Sequence, residues 1–408
     1  MDMKQIFTNA QVIAPGHDMA QPLNLAIDSG HITGIGSEAP SPDQKIIDCK
    51  GAILAPGIID LAVFAIDKPA FHFGGITRAA LMPDRSPVLD LPAMIKHNAS
   101  EGKPDLWSHP LAAATKGLKG IELAEIGLMK EAGARAVATG RSWIADSGIM
   151  LKLLHYCRSL DMPVVVHSED SGLTAGAVAT SGETATRLGL SSAPASAEAL
   201  SIARDIALVR ESGAHVHFRQ VTTTQGLSLI RSAKAEGLPV TCGITPAHLF
   251  LSEIAISDFR TFAKMSPPLR SEEDRQSCLE AIQDGTIDVI SSGHDPRGPE
   301  GKRLPFAEAD TGMAGAETLL ALSLNLVRDG LLNMDRLFDL LSANPAKILG
   351  VNAGQIVKGR EADLILVDAE KPWQIDARRM AASAGNTPFD KLPVQGRVIA
   401  IYKGGKAL

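Results

Sequence analysis

A chain of 408 residues is longer than one ordinary domain and fits one large core with a small appended domain. Hydrophobic residues at 45% and charged residues at 21% are globular values that exclude a disordered chain or an extended coiled coil. The formal net charge of -6 is spread without a basic run, which excludes nucleic acid and membrane surfaces as partners and leaves a protein, a small molecule or further copies of the chain.

At the N-terminus, Met1 to Ala10 carry charged and polar groups where a signal peptide is apolar, and no run of about 18 apolar residues follows anywhere, so a cytoplasmic location is expected. Short β-rich runs such as QVIA and NLAIDSGHITGIG, broken by Gly, Pro and Asp, predict hairpins of a small sheet. From ILAPGIIDLAVF onward, apolar runs (TRAALMP, ARAVAT, PVVVHS, AHVHFRQV, PVTCGIT, IDVISSG) alternate with amphipathic stretches at the spacing of βα units, which predicts an α/β fold: a (β/α)8 barrel spanning 55–351. The C-terminal runs GREADLILVD and GRVIAIYKGGKAL are β-rich again, so residues 1–54 and 352–408 are expected to pair into one small β-sandwich domain. Cys49, Cys157, Cys242 and Cys278 match no Cys-x-x-Cys spacing and read as buried thiols. In a parallel barrel the chemistry sits at the C-terminal ends of the strands.

APGIIDL (55–61), GGITRAALMPD (74–84), KGLKGIELAEIGLMKEAGA (116–134), PVVVHSED (163–170), PVTCGITPAHLFL (239–251), SPPLRSEEDR (266–275), GTIDVISSGHDP (285–296) and NPAKILGV (344–351) follow one another in the order of the type I dihydroorotases, and the chain resembles that family of the amidohydrolase superfamily over most of its length. The resemblance implies a zinc centre at the strand tips, where the metal activates water and polarises a cyclic amide while an Asp moves the proton.

Position by position, the chemistry of that family is missing. Its first ligand pair, His-x-His, is Ala62-Val63-Phe64 here, and Phe64 projects a ring toward the space of a metal. The arginine that follows in the family corresponds to Ile66, or to Lys68 with a one-residue shift, and residues 69–74 are too short for the family's helix between the first two strands, so that helix is expected to be lost. The bridging acid stands as Thr139, followed by Gly140 and Arg141, which cannot be carboxylated. His167 in VVVHSED is the one retained ligand, and the next histidine is replaced by Gln220, a poor zinc ligand. His215 and His217 lie upstream in their strand and read as structural. The acid/base of the family is Gly293. Asp295, two residues on, is displaced by about 6–7 Å of extended chain and out of reach of a fixed substrate. Of the substrate-side positions, Asp84 and Ser266 replace family asparagines, His294 remains beside Gly293, and Arg270 reads as a surface or structural arginine.

A single imidazole makes no chelate, so no metal is expected to bind. The resemblance then implies a non-catalytic dihydroorotase-like protein of pyrimidine synthesis, a structural or assembly subunit for aspartate transcarbamoylase, itself able to form a homo-oligomer. The alternative is an active dihydroorotase or another amidohydrolase with an unusual zinc site. A small-molecule sensor using a vacant barrel mouth is a third reading.

Overall fold

The computed structural model describes residues 4–37 and 39–408. The N-terminal alternation of apolar and polar residues forms β1 (Gln5–Val12), β2 (Leu23–Asp28), β3 (His31–Gly36), β4 (Lys45–Asp48) and β5 (Ile53–Pro56). β1 pairs antiparallel with β2 and parallel with both β4 and β5, its first half with one and its second half with the other.

The barrel follows. β6 (Ile58–Val63), β7 (Ile76–Leu81), β8 (Trp107–Pro110) with its continuation β9 (Ala112–Ala113), β10 (Val137–Ala138) and β11 (Val164–Val166) pair side by side in parallel. A small pair, β12 (Ala179–Thr180) and β13 (Ser192–Ala193), branches off after β11. β14 (Val216–Phe218), β15 (Val240–Ile244) and β16 (Val289–Ile290) complete eight staves. The Leu111 amide donates to the Leu81 carbonyl at 2.8 Å, which carries the ladder across the break between β8 and β9, and the Phe64 amide donates to the His294 carbonyl at 2.9 Å at the closing seam. On the same seam the buried Asp60 carboxyl accepts from the amide and hydroxyl of Ser292. Alternate residues point inward: Ile59, Leu61, Ala80, Met82, Ala138 and Val165 fill the barrel together with Ala346 and Ile348 of the helix Asn344–Ile348. The outer residues meet helices that start on side-chain caps, such as Asp146 before Ser147–Ser159 and Ser271 before Glu272–Gln283.

The connection from β6 to β7 departs from expectation. It keeps a short helix, Lys68–Gly74, with Pro69 in its first turn and Gly75 at φ 77 as its stop. Pro is preorganised for a helix start and glycine takes the left-handed stop without penalty. The buried Phe71 anchors the helix by packing its ring edge against His294 at 5.3 Å. Lys68 turns away from the barrel mouth toward Asp105, at 3.4 Å.

β17 (Leu364–Gln374), β18 (Pro393–Lys403) and β19 (Lys406–Ala407) join β5 to complete an eight-stranded assembly in the order β19-β18-β17-β5-β1-β2-β3, with β4 on β1. Phe7, Leu25, Ile32, Leu54, Leu364 and Tyr402 form its core. The boundary expected between 54 and 55 cuts β5, because Ala55 and Pro56 still pair with Ile365 and Leu364. Residues 375–392, between β17 and β18, also leave the β domain and cross the barrel mouth: the Ser383 amide donates to Asp67, and Asn386 donates to the carbonyls of Asp295 and Gly312. The two units are riveted by Arg78 of β7, which pairs with Asp363 and Glu361 while Lys403 of β18 binds the same two carboxylates. All four cysteines are buried free thiols. Among the described residues, no helix is long and apolar enough to cross a membrane.

Candidate functional site

At the tip of β6, Ala62 is the extra residue of a bulge against β7 and is held at φ 81, a backbone region costly for a residue with a Cβ. The bulge turns the chain so that Phe64 enters the barrel mouth, where it is 9% exposed. The Arg141 guanidinium stacks on its ring at 3.6 Å and that of Arg219 lies 5.3 Å from the ring centre. Two guanidiniums therefore bear on one aromatic ring at the barrel mouth.

His167, at the end of β11, is engaged on both ring nitrogens. Arg219 donates to Nδ1 at 3.0 Å, so the ring proton sits on Nε2, which faces Glu169 Oε2 at 3.6 Å. Its backbone amide donates to Thr139 Oγ1 at 3.0 Å, so the residue at the bridging-acid position serves the neighbouring strand. Burial and the nearby Arg141 lower the fully buried Arg219 to about 10, against the attraction of Asp84, Asp295 and Glu169. Burial pushes the Glu169 carboxyl up, but His167 and Arg270 outweigh it and hold the group at about 2.

Gly293 lies at φ 60, and a Cβ built there would stand 3.0 Å from Thr245 Cγ2. The acid expected there by resemblance would be strained in this backbone. Asp295 is committed to Arg141 at 2.8 Å and to Arg297 at 3.1 Å. Of the three positions expected on the substrate side, only Ser266 lines the mouth cavity. Asp84 lies behind it and accepts from the Arg141 amide at 2.9 Å. His294 is fully buried and, unlike Gly293 beside it, does not line the mouth cavity. Its Nδ1 accepts from the Ala316 amide at 3.3 Å and its Nε2 lies 3.6 Å from Asp67. Arg270 is no surface residue: it is buried against Glu169 at 2.8 Å and Glu198 at 3.5 Å.

The mouth is not vacant either. Phe64, Arg141, Arg219, Gln220 and Met313 close around a cavity of about 20 Å³, room for about one water. A sensor pocket does not exist there without rearrangement of those side chains. The residues present do not fit zinc: Ala62, Phe64 and Gly293 offer no donor atom, Gln220 offers an amide, and the free lone pair of His167 is taken by a guanidinium. Among the described residues, no three His, Cys, Asp or Glu side chains converge to hold an ion.

Sequence reasoning passed over Arg219. The period of two along Val216–Phe218 puts it on the same inner face as His217, which was the available signal. His217 is fully buried with Nδ1 3.0 Å from Thr241 Oγ1, and His215 approaches the same hydroxyl at 3.3 Å. His248 donates from Nε2 to the Pro267 carbonyl at 3.0 Å, leaving Nδ1 to accept from Thr245 at 2.8 Å.

These buried rings set a pH dependence. Burial lowers His109 and His217 to about 3 and His248 to about 4, whereas in the unfolded chain they titrate near 6.5. Between those values the unfolded state binds more protons, so stability is lost as pH falls through the window. A loss of at least about 2 kcal/mol between pH 7 and pH 5 is expected from the linkage of one such ring. Urea denaturation at the two pH values measures it, and equal midpoints would contradict the burial described.

The chain matches the model of the amidohydrolase family over residues 105–408. It is 36% identical over 420 residues to a dihydroorotase of Syntrophotalea carbinolica, with 99% of this chain and 98% of that protein covered. It is 35% identical to a dihydroorotase of Citrifermentans bemidjiense, covering 98% and 99%. Among solved structures, the L-hydantoinase (dihydropyrimidinase) of Arthrobacter aurescens superposes with a TM-score of 0.87 at 22% identity, covering 99% of this chain and 96% of that one. The dihydropyrimidinase of Brevibacillus agri NCHU1002 gives 0.84 at 21%, covering 99% and 95%.

Proposed function

The chain belongs to the amidohydrolase family and groups with its dihydroorotases, and from that premise we propose that it is a dihydroorotase-like protein of pyrimidine synthesis that does not catalyse. Its role in this reading is structural: an assembly subunit for aspartate transcarbamoylase. The observation that carries the loss of catalysis is the Arg219 hydrogen bond to His167 Nδ1 beside the Phe64–Arg141 stack, because it fills the place of the metal with groups that repel one. Zinc chemistry needs at least three protein ligands and a proton shuttle, and these positions supply one occupied imidazole and a glycine. The assembly role rests on family analogy together with retention of the relatives' full length without their chemistry.

The second reading, favoured by the name shared by the relatives, is an active dihydroorotase or another amidohydrolase with an unusual zinc site. Metal analysis of protein purified with added zinc, coupled to a carbamoyl aspartate cyclisation assay, separates the two. Substoichiometric zinc and background turnover are expected, and stoichiometric zinc with turnover would establish the second reading instead. For the assembly role, co-expression with aspartate transcarbamoylase is expected to yield a complex whose size and activity depend on this chain. Unchanged size and activity in its absence would remove that role.

A further inference from the structure

The end of the barrel opposite the site above carries a second, larger concavity. A groove of about 620 Å³ opens at the N-terminal ends of the strands, bounded by Pro163 before β11, His215 before β14 and Pro239 before β15, and by the helix Asn344–Ile348. Its volume is that of small-ligand sites, which span about 300–1,000 Å³.

Four cations line it: Lys130, Arg135, Arg158 and Lys347, all exposed. Lys130 is held by the Leu160 carbonyl at the end of the helix Ser147–Ser159. Among the described residues, Arg135, Arg158 and Lys347 lie within ion-pair distance of no carboxylate, and Asp161 is the one acid in the lining. In a chain of net charge -6, positive charge gathered around one concavity focuses field into it. The two guanidinium forks suit phosphate oxygens, which they bind in pairs.

We propose that this groove at the barrel base binds a small, multiply phosphorylated metabolite. The concave shape, with walls from several separate segments, favours a compact ligand over an acidic protein surface, which would need a broad and flat basic face. The ligand would touch Lys347 on the helix that plugs the barrel and Arg158 at the end of an outer helix, so its binding stabilises the folded chain.

Calorimetric titration of the full chain with inorganic tripolyphosphate and with adenosine triphosphate tests this. Saturable binding that weakens with added salt is expected. Binding of both probes assigns recognition to the polyphosphate, and binding of the nucleotide alone adds its organic part; either supports the site. A paired Arg158→Glu and Lys347→Glu variant, both surface changes, is expected to lose at least about tenfold in affinity while melting as the parent does. Binding of neither probe, equal affinity in the variant, or binding of polyglutamate in place of both probes would overturn the proposal. None of these outcomes bears on zinc or turnover, so the groove and the non-catalytic reading stand or fall separately.

Discussion

Replacing Arg270 by Ala is expected to destabilise the protein by about 3–5 kcal/mol, the cost of leaving a buried ion pair without its cation. Arg270 is almost wholly buried and bonds Glu169, Thr222 Oγ1 at 2.9 Å and Thr180 Oγ1 at 3.2 Å. Behind it lies Glu198, fully buried, whose carboxylate accepts from the amides and hydroxyls of Thr222 and Thr223. Those neutral donors do not neutralise the charge, and Arg270 is the cation that does. Arg270→Lys keeps the charge but cannot span four partners with one ammonium, so an intermediate loss is expected. Urea denaturation of both variants measures it. A lysine variant equal to the parent, or an alanine variant within about 1 kcal/mol of it, would show that the network is not what holds these strand ends.

Phe64→Ala is expected to cost a similar amount, about 3–5 kcal/mol for a buried phenylalanine. Arg141 and Arg219 both bear on the ring, and without it the two guanidiniums border a hole that now admits water. Repulsion adds to the lost burial, so the effect belongs at the upper end of that range. Metal binding separates this account from steric exclusion of zinc by the ring alone. The variant is expected to gain no stoichiometric zinc, because Ala62, Thr139, Gln220 and the Arg219–His167 bond are unchanged. Full zinc occupancy in Phe64→Ala would mean that the ring was the obstacle and would reopen the catalytic reading.

The barrel was legible because its signals are local. Valine-rich strand runs, amphipathic spacing between them and hairpin chemistry at both ends require no knowledge of partners, and they predicted the (β/α)8 fold found here with its β-rich terminal domain. Residue types at the strand ends, Ala62, Phe64, Thr139, Gln220 and Gly293, can be read directly from the sequence, and their comparison with the family rests on the resemblance. The short helix Lys68–Gly74 was missed because seven residues carry too little periodicity to be recognised, although Pro69 and Gly75 bracket it.

Sequence by itself therefore determined the architecture. Only the tertiary structure decided which side chains meet at the barrel mouth. Arg141, Arg219 and Phe64 come from three separate strand ends, and residues 375–392 reach the mouth from the far end of the chain. Their meeting depends on closure of the barrel, a property of long-range contacts that no local pattern encodes. The same closure turned an expected open mouth into one with room for about one water, and it drew His167 into a hydrogen bond with Arg219.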